Sequence, residues 1–289
     1  ISVYLYLNEP RSMNDAFFKK QPELRGERED DFYAMCTSRP EVKRYLEDGM
    51  KQLFAEAPGL GGFFTITMSE NLTNCYSRAK GPLTCPRCAA RKPWEVVAEV
   101  NNLMARGAHA SAPNSRAIAW SWAWGDEWAA KVPALLTEGQ IVQCVSEERL
   151  ATNVGGVAGV VRDYSISQPG PGQKALTVWS AARESGHETC AKVQINNSWE
   201  MSAVPYLPVF DKVAEHILSL KAAGVKHLQM SWTLGGYPTP MLRMASRMMS
   251  EGISVHDYLI EWLGAEHGDT VDRAQRLMSR AFGEFPFNI

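Results

Sequence analysis

The sequence predicts an α/β fold, a (β/α)8 TIM-type barrel of which about six units are visible. Runs rich in β-branched and aromatic residues alternate with amphipathic helical patterns along the chain. These units recur roughly every 35 to 50 residues, which suits parallel strands joined by helical crossovers. A doubly wound open sheet is the alternative, but no predicted strand is followed by a glycine-rich phosphate-binding loop.

The predicted strands are short apolar runs that end in polar residues. The first, Val3–Leu7, is followed by Asn8, Glu9 and Pro10. Further strands are predicted over residues 63–68, 117–124, 141–145, 191–196 and 227–232.

The predicted helices carry apolar residues at helical spacing. In the helix that starts at Pro40, the proline suits the first turn, and Val42 and Leu46 begin an apolar stripe. Gly224 ends a helix over residues 209–223. Other helices are predicted over residues 93–107, 126–136, 175–184, 254–263 and 269–282.

Six units are too few to close an eight-stranded barrel. Residues 160–166 are strand-like and are a candidate seventh strand, although no helical pattern separates them from the fourth. The sequence begins inside a strand pattern at Ile1, so we expect one or two units upstream. We interpret residues 1–289 as a single (β/α)-barrel catalytic domain of a longer protein.

The composition excludes several classes of protein. The chain has 289 residues, 45% of them apolar and 21% charged, with a formal net charge of −2. This balance disfavours a nucleic-acid partner. No apolar run approaches about 18 residues, so we expect no membrane-spanning helix and a location in the bacterial cytoplasm or periplasm. Exposed barrel edges would favour a homo-oligomer.

Carboxylates, amides and indoles follow the predicted strands, where the active site of a barrel lies. The six histidines fall in helices, loops or strand starts, which disfavours histidine-dependent metal or nucleophile chemistry. Indole faces stack on sugar rings, and amides hold sugar hydroxyls. The predicted substrate-binding residues are Asn8, Glu9, Arg11, Asn71, Trp120, Trp122, Trp124, Asp126, Asn196, Asn197, Trp199 and Trp232.

Glycoside hydrolysis needs two carboxyl groups, one to protonate the departing oxygen and one to attack or to activate water. Glu70 follows the second visible strand and is the predicted acid/base. Glu200 is the predicted nucleophile, and Glu147 is the alternative partner of Glu70. A single glutamate at a strand end is more often a solvated loop acid, but four strand ends carry one here. The alternating tryptophans 120, 122 and 124 share one strand face and are open to the alternative interpretation of packing residues.

The cysteines predict a structural zinc site. Cys85 and Cys88 form a C-x2-C knuckle, Cys75 lies ten residues before it, and Cys36 is the candidate fourth ligand. The alternative is a set of free or disulfide-paired thiols in a loop. No cofactor is expected for catalysis.

Several motifs together resemble an uncharacterised bacterial family near the family 20 β-N-acetylhexosaminidases and the α-glucuronidase-like barrels. They are YLYLNEPRSM, FTITMSENLTNC, CPRC, AWSWAW, DYSISQPGPG, VQINNSWE and SWTLGGYP. The resemblance implies Glu70 as the acid. Ser69 stands where family 20 has the aspartate that orients the acetamido group, so a two-carboxylate mechanism is expected. With two units upstream, Glu70 and Glu200 would follow strands four and seven, as in the large clan of retaining barrel glycosidases.

These observations predict a retaining, exo-acting β-glycosidase, similar to a β-N-acetylhexosaminidase or to a β-glucosidase or β-galactosidase. Its partner would be a carbohydrate substrate. The alternative is a carbohydrate-binding barrel without turnover, or an inactive fragment.

Overall fold

A computed structural model of the chain describes residues 1–68, 71–79, 81–232 and 237–286. The chain divides into two compact units. Unit 1 comprises Ile1–Gln143 and Val178–Glu188, and unit 2 comprises Cys144–Thr177 and Thr189–Ile289. No helix in the described ranges is both long and apolar enough to cross a bilayer.

The six predicted barrel strands are all present, with boundaries shifted by a few residues. In chain order the strands are β1 (Val3–Leu7), β2 (Met13–Asn14), β3 (Arg25–Glu29), β4 (Phe32–Met35), β5 (Leu60–Ile66), β6 (Arg116–Trp120), β7 (Ile141–Val145), β8 (Ala151–Val154), β9 (Val157–Val160), β10 (Glu188–Val193) and β11 (His227–Met230).

Six of these strands form the main sheet, in the order β1-β5-β6-β7-β10-β11. The pairings β1–β5, β5–β6, β6–β7 and β10–β11 are parallel. Strands of this sheet neighbour one another in chain order, as in a (β/α) barrel, whereas a doubly wound sheet reverses its order. The predicted barrel is therefore confirmed as a partial one, with six strands in the part of the chain that the structure describes.

Helices occupy the connections. They are α1 (Asp15–Lys20), α2 (Pro40–Glu56), α3 (Pro86–Ala89), α4 (Pro93–Ser111), α5 (Gln173–Glu184), α6 (Phe210–Ala222), α7 (Pro240–Ser250), α8 (Val255–Leu263) and α9 (Ala265–Gly283).

Helix α2 has the predicted pattern. Pro40 occupies its first turn, where the missing N–H forfeits no intrahelical bond. Val42, Leu46, Met50 and Phe54 recur every fourth residue, and all four are buried. The apolar stripe therefore fixes which face of α2 covers the core.

In unit 1, α2 packs against α4 and the helices come close at Gly107. A Cβ atom at this position would lie 2.1 Å from the Glu47 carbonyl oxygen. Beneath the helices, the Phe54 ring meets the Phe63 ring of β5 at a centroid distance of 5.9 Å. Glycine thus allows the close approach that buries this aromatic pair.

In unit 2, helices α6, α7, α8 and α9 pack on one another. Ser254 caps α8 as predicted, since its hydroxyl accepts a 3.1 Å hydrogen bond from the Asp257 amide. Met241, Met244 and Met248 form the buried stripe of α7, a helix that the sequence analysis missed. The segment contains four methionines and two arginines, Arg243 and Arg247.

Three predicted elements differ. The third strand ends at Trp120 rather than at residue 124, because Ser121 and Trp124 close a turn through a 3.0 Å backbone hydrogen bond. Residues 126–136 form two short 3-10 helices, Ala129–Lys131 and Pro133–Leu135, where Pro133 interrupts the predicted α-helix.

The candidate seventh strand over residues 160–166 is wrong. Only Val160 is in a strand, and it belongs to the antiparallel hairpin of β8 and β9, outside the main sheet. A second small sheet, in the order β2-β4-β3, occupies residues 13–35 and was not predicted, because its strands are short and β3 is highly charged.

Candidate functional site

Unit 2 buries two ionisable side chains, Glu147 and Lys192, which belong to two neighbouring strands of the main sheet or follow them closely. Glu147 follows β7 with one residue, Ser146, between them, and Lys192 lies within β10. Both side chains are 0% exposed. Neither carboxylate oxygen of Glu147 and no hydrogen of the Lys192 ammonium has a well-formed hydrogen bond within the described residues. Burying such groups without partners costs free energy, so their presence marks a candidate functional site.

Lys192 is surrounded by aromatic rings. Its ammonium nitrogen lies 4.4 Å from the centre of the Tyr164 ring and 5.9 Å from that of Trp232. Burial lowers the pKa of Lys192 to about 7, and electrostatic interactions with Glu147 and Asp163 oppose this only in part. Near neutral pH, Lys192 therefore changes its charge in response to small changes around it.

Glu147 is held in its neutral form. Burial raises its pKa to about 8, against weaker opposing contacts with the backbone, the Ser146 side chain and Lys192. The Nδ1 atom of His216, on α6, lies 3.5 Å from the Glu147 carboxyl. A protonated carboxyl at neutral pH can donate a proton, which an ordinary glutamate cannot.

One histidine lies in this buried cluster. His216 is 3% exposed, and its Nε2 atom lies 2.6 Å from the Ser146 hydroxyl while its Nδ1 atom faces Glu147. Burial lowers the pKa of His216 to about 3, so the ring is neutral. A histidine on a helix thus joins the polar cluster, because α6 packs its buried face toward the segment after β7.

Asp163 is the ionisable group of this cluster that is partly exposed. Burial raises its pKa to about 7, whereas the charge of Lys192 and a hydrogen bond from the Trp199 side chain favour the ionised form. Its Oδ1 atom has no hydrogen-bond partner in the described ranges. The Trp199 ring is 44% exposed, so an indole face and a tunable carboxyl lie together at the surface of unit 2.

Three neutral side chains near the ends of β10 and β11 also leave buried oxygens without described partners: Gln194 Oε1, Asn197 Oδ1 and Ser231 Oγ. Ser231 has a φ of 67°, a left-handed conformation that costs a non-glycine residue roughly 1–3 kcal/mol. Its amide donates a 2.7 Å hydrogen bond to the Val193 carbonyl. Strain and unpaired polar atoms therefore occur together after these strands.

Glu200 has a different environment from the one predicted for a nucleophile. Its carboxylate accepts hydrogen bonds from the Ser165, Ser167 and Ser198 hydroxyls at 2.7, 2.5 and 2.7 Å. The Ile166 amide donates a further bond of 2.7 Å. These hydrogen bonds hold residues 165–167 in place, which favours a positioning role for Glu200. The assignment of Glu200 as the nucleophile stays a prediction.

The predicted asparagines of unit 2 contact the loops that follow β10 and β11. Asn196 donates to the Tyr237 carbonyl at 3.0 Å and accepts from the Thr239 hydroxyl at 2.5 Å. Asn197 donates to the Val204 carbonyl at 2.7 Å. Both amides therefore shape the loops around the cluster.

In unit 1, the predicted residues Asn8, Glu9 and Arg11 lie just after β1. Asn8 is buried and donates a hydrogen bond to the Tyr6 hydroxyl, whereas Arg11 is exposed and pairs with Glu9 at 3.2 Å. Asp126 is exposed in a turn region, and Asn71 is partly buried. Glu70 lies outside the described residues.

The three tryptophans after β6 do not share one strand face. Trp120 and Trp124 are each 1% exposed, and the Trp124 indole donates a 3.2 Å hydrogen bond to the Thr67 hydroxyl. Trp122 is partly exposed and packs edge-on against Trp120 at 5.8 Å. The prediction of one alternating face is wrong because the strand turns at Ser121, and the burial of Trp120 and Trp124 favours packing.

The four cysteines of the predicted metal set do come together. The Sγ atoms of Cys36, Cys75, Cys85 and Cys88 all lie within 4.8 Å of one another, and all four residues are buried. This arrangement is in unit 1 and is built from residues of that unit alone.

Sequence analysis missed Lys192, Asp163, Tyr164 and His216. One signal for Lys192 was present: a lysine inside the apolar run 191–196 shares a strand face with Gln194, where a charge is unusual. Asp163 and Tyr164 lie in an irregular segment whose position no periodicity reveals.

No family model and no curated protein matches the sequence. The fold is similar to part of a solved GH138 enzyme targeting pectin rhamnogalacturonan II, with a TM-score of 0.51 at 10% identity, covering 85% of this chain and 28% of that chain. A monomeric β-xylosidase from Caulobacter crescentus CB15 matches with a TM-score of 0.39 at 14% identity, covering 82% of this chain and 47% of that one.

A radical S-adenosylmethionine methyltransferase from Kitasatospora setae matches with a TM-score of 0.36 at 12% identity, covering 90% of this chain and 40% of that one. The similarity to the GH138 enzyme does not point to family 20 in particular. The chain spans 28% of the length of the GH138 structure. The similarity shows the fold alone: this chain has the arrangement of part of a (β/α) barrel.

Proposed function

We propose that the chain is the barrel part of a glycoside hydrolase that cleaves its substrate with two carboxyl groups. One observation carries the proposal: Asp163, with a pKa of about 7, lies beside Trp199 and interacts with the charge of the buried Lys192, which in turn interacts with the buried Glu147. Carboxyl groups with pKa values tuned toward neutrality are what acid–base catalysis needs. Indole faces supply the apolar surface that a sugar ring stacks on.

In this proposal Asp163 is a reacting carboxyl. It is partly exposed, one of its oxygens has no partner among the described residues, and the Lys192 charge tunes its pKa. Lys192 and Glu147 are fully buried, so Lys192 acts on Asp163 through its charge, and Glu147 acts through Lys192. Glu70 remains the proposed acid/base and Glu200 the proposed nucleophile on sequence grounds, and both compete with this assignment.

A kinetic comparison tests the proposal. Wild-type protein and the variants Asp163→Asn, Glu147→Gln, Glu200→Gln and Glu70→Gln are assayed on nitrophenyl glycosides of GlcNAc, GalNAc, glucose, galactose and glucuronic acid. Loss of a reacting carboxyl is expected to lower kcat by about 10²–10⁴-fold. Glu138→Gln is the matched control, because Glu138 is an exposed acid before β7.

The assignment of Asp163 fails if Asp163→Asn retains more than about a third of wild-type kcat on a substrate with a poor leaving group. The proposed retaining, exo-acting β-mechanism has a separate readout, the anomeric form of the first product by NMR. Retention also predicts a carboxyl separation of roughly 5 to 5.5 Å in the reacting pair.

A carbohydrate-binding barrel without turnover is the second candidate. It is favoured by the full burial of Glu147 and by the hydrogen bonds that occupy the Glu200 carboxylate. Calorimetric binding of a sugar without release of nitrophenol from any substrate of the panel would support this candidate and contradict hydrolysis.

A further inference from the structure

The geometry points to a mononuclear zinc ion bound by Cys36, Cys75, Cys85 and Cys88, with a structural role. The Cys36 Sγ atom lies 3.7 Å from the Sγ atoms of both Cys85 and Cys88. A tetrahedron of thiolates around zinc, with Zn–S bonds of about 2.3 Å, has an S–S edge of about 3.8 Å. The observed spacing matches that edge.

The same spacing excludes the alternative pairings. A disulfide bond requires sulfur atoms about 2.0 Å apart, and all four cysteines are free. A polynuclear iron–sulfur cluster places its own atoms between the thiolates and holds them farther apart than the 4.8 Å that encloses this set. One ion at the centre of the four sulfurs accounts for the arrangement.

Side chains around the sulfurs complement a negatively charged centre. A zinc ion with four thiolates carries a net charge of −2, which outer hydrogen-bond donors stabilise. The Arg87 Nε–H donates toward Cys36 Sγ at 3.3 Å, and the Ser38 hydroxyl lies 3.3 Å from Cys88 Sγ. A guanidinium and a hydroxyl are therefore placed where a tetrathiolate site needs them.

The backbone also leaves room for the sulfurs. Gly26 of β3 faces the site so closely that a Cβ atom there would lie 2.6 Å from Cys75 Sγ. Leu72 and Ala34 pack around the cysteines and keep the group buried. Gly26 and its neighbours thus form a cradle for the Cys75 sulfur, which a larger residue at position 26 would displace.

The role follows from the ligand set. Four protein thiolates fill a tetrahedral zinc site and leave no position for water or substrate, so the ion is structural. Cys36 follows the small sheet of residues 13–35, while the other three ligands lie in the segment 75–88. The ion would therefore fasten the small sheet to the loop after β5.

Elemental analysis of the full chain, purified without chelators, is the direct test. We expect about one zinc per chain in the wild type, a loss of more than about tenfold in Cys85→Ser, and no change in Cys144→Ser. Cys144 is the matched control because it is a buried cysteine in β7 outside the cluster.

Cobalt replacement keeps the test independent of whether Cys85→Ser folds. Wild-type protein stripped of metal and loaded with Co²⁺ should show the visible bands and sulfur-to-metal charge transfer of tetrahedral thiolate coordination. Metal-free wild type in which all six cysteines titrate as thiols under denaturing conditions, or stoichiometric iron in place of zinc, would overturn the inference. Because neither readout uses glycosidase activity, a failure here is separate from a failure of the proposed function.

Discussion

The Lys192 ammonium lies 4.4 Å from the centre of the Tyr164 ring and has no hydrogen-bond acceptor among the described residues. The ring face replaces part of the lost hydration, but a cation–π contact of about 1–2 kcal/mol does not offset full burial of a charge. The pKa of Lys192 is therefore lowered to about 7. The protein tolerates this cost at a place where a carboxyl of tuned pKa also lies.

We predict that Glu147→Gln stabilises the protein at alkaline pH. The pKa of Glu147 is raised from 4.5 to about 8, so the folded state keeps a proton that the unfolded chain releases, and stability falls as the pH rises between these values. Urea unfolding should show the variant more stable by about 1–4 kcal/mol at pH 8, with little difference at pH 4.5. Equal differences at the two pH values, or the same effect in Glu138→Gln, would contradict this.

Lys192→Met is expected to stabilise the protein at pH 7. The pKa of Lys192 is lowered from 10.5 to about 7, so wild-type stability falls as the pH decreases through that interval. The gain should be about 1–3 kcal/mol at pH 7 and should shrink toward pH 10.5. Lys174→Met is the control and should destabilise the protein. Lys174 pairs with Glu148 at 2.8 Å, so its removal leaves that carboxylate without its partner.

Glu200→Gln should destabilise unit 2 by about 2–4 kcal/mol, because an amide cannot accept all the bonds from residues 165–167. If Glu200 acts through that segment, Ser165→Ala combined with Ser167→Ala lowers kcat as Glu200→Gln does. If Glu200 is the nucleophile instead, the serine variant keeps most activity, and azide rescues Glu200→Gly alone. Thermal unfolding and kcat measured on the same samples separate these outcomes.

Gly26→Ala is predicted to lower the zinc content of the protein as isolated. The added methyl group would meet Cys75 Sγ at 2.6 Å and the Ala34 carbonyl oxygen at 2.8 Å, so the sulfur must move. Gly81→Ala is the control, since a Cβ atom there meets nothing within 4 Å. Unchanged zinc content in Gly26→Ala, measured with thermal stability, would show that the cradle does not depend on this glycine.

The strands and long helices could be predicted because their patterns are local. Val42, Leu46 and Phe54 mark a helix face without reference to any other segment. The small sheet of residues 13–35 could not be found this way, because its burial depends on the loop that carries Cys75. Composition also misled at Trp124, whose burial depends on a turn that follows β6.

The site was predictable only where chemistry and spacing coincide. The spacing of Cys85 and Cys88 predicted a metal site with Cys75 and Cys36 as further ligands, and the structure brings all four sulfurs together. The cluster around Lys192 depends on Asp163, which lies in an irregular segment, and on His216, which α6 supplies from far along the chain. Contacts of that kind arise from tertiary packing and leave no local pattern.

The Glu27 carboxylate accepts hydrogen bonds from the Thr84 amide, the Thr84 hydroxyl and the Cys85 amide, at 2.9, 2.9 and 3.2 Å. These bonds hold the turn of Cys85 and Cys88 in shape through protein atoms alone. Little conformational entropy is then left to lose when an ion arrives, which favours tight capture of the ion. The four-cysteine site would therefore bind and release its ion as a preorganised site, without the coupled folding that a zinc finger undergoes.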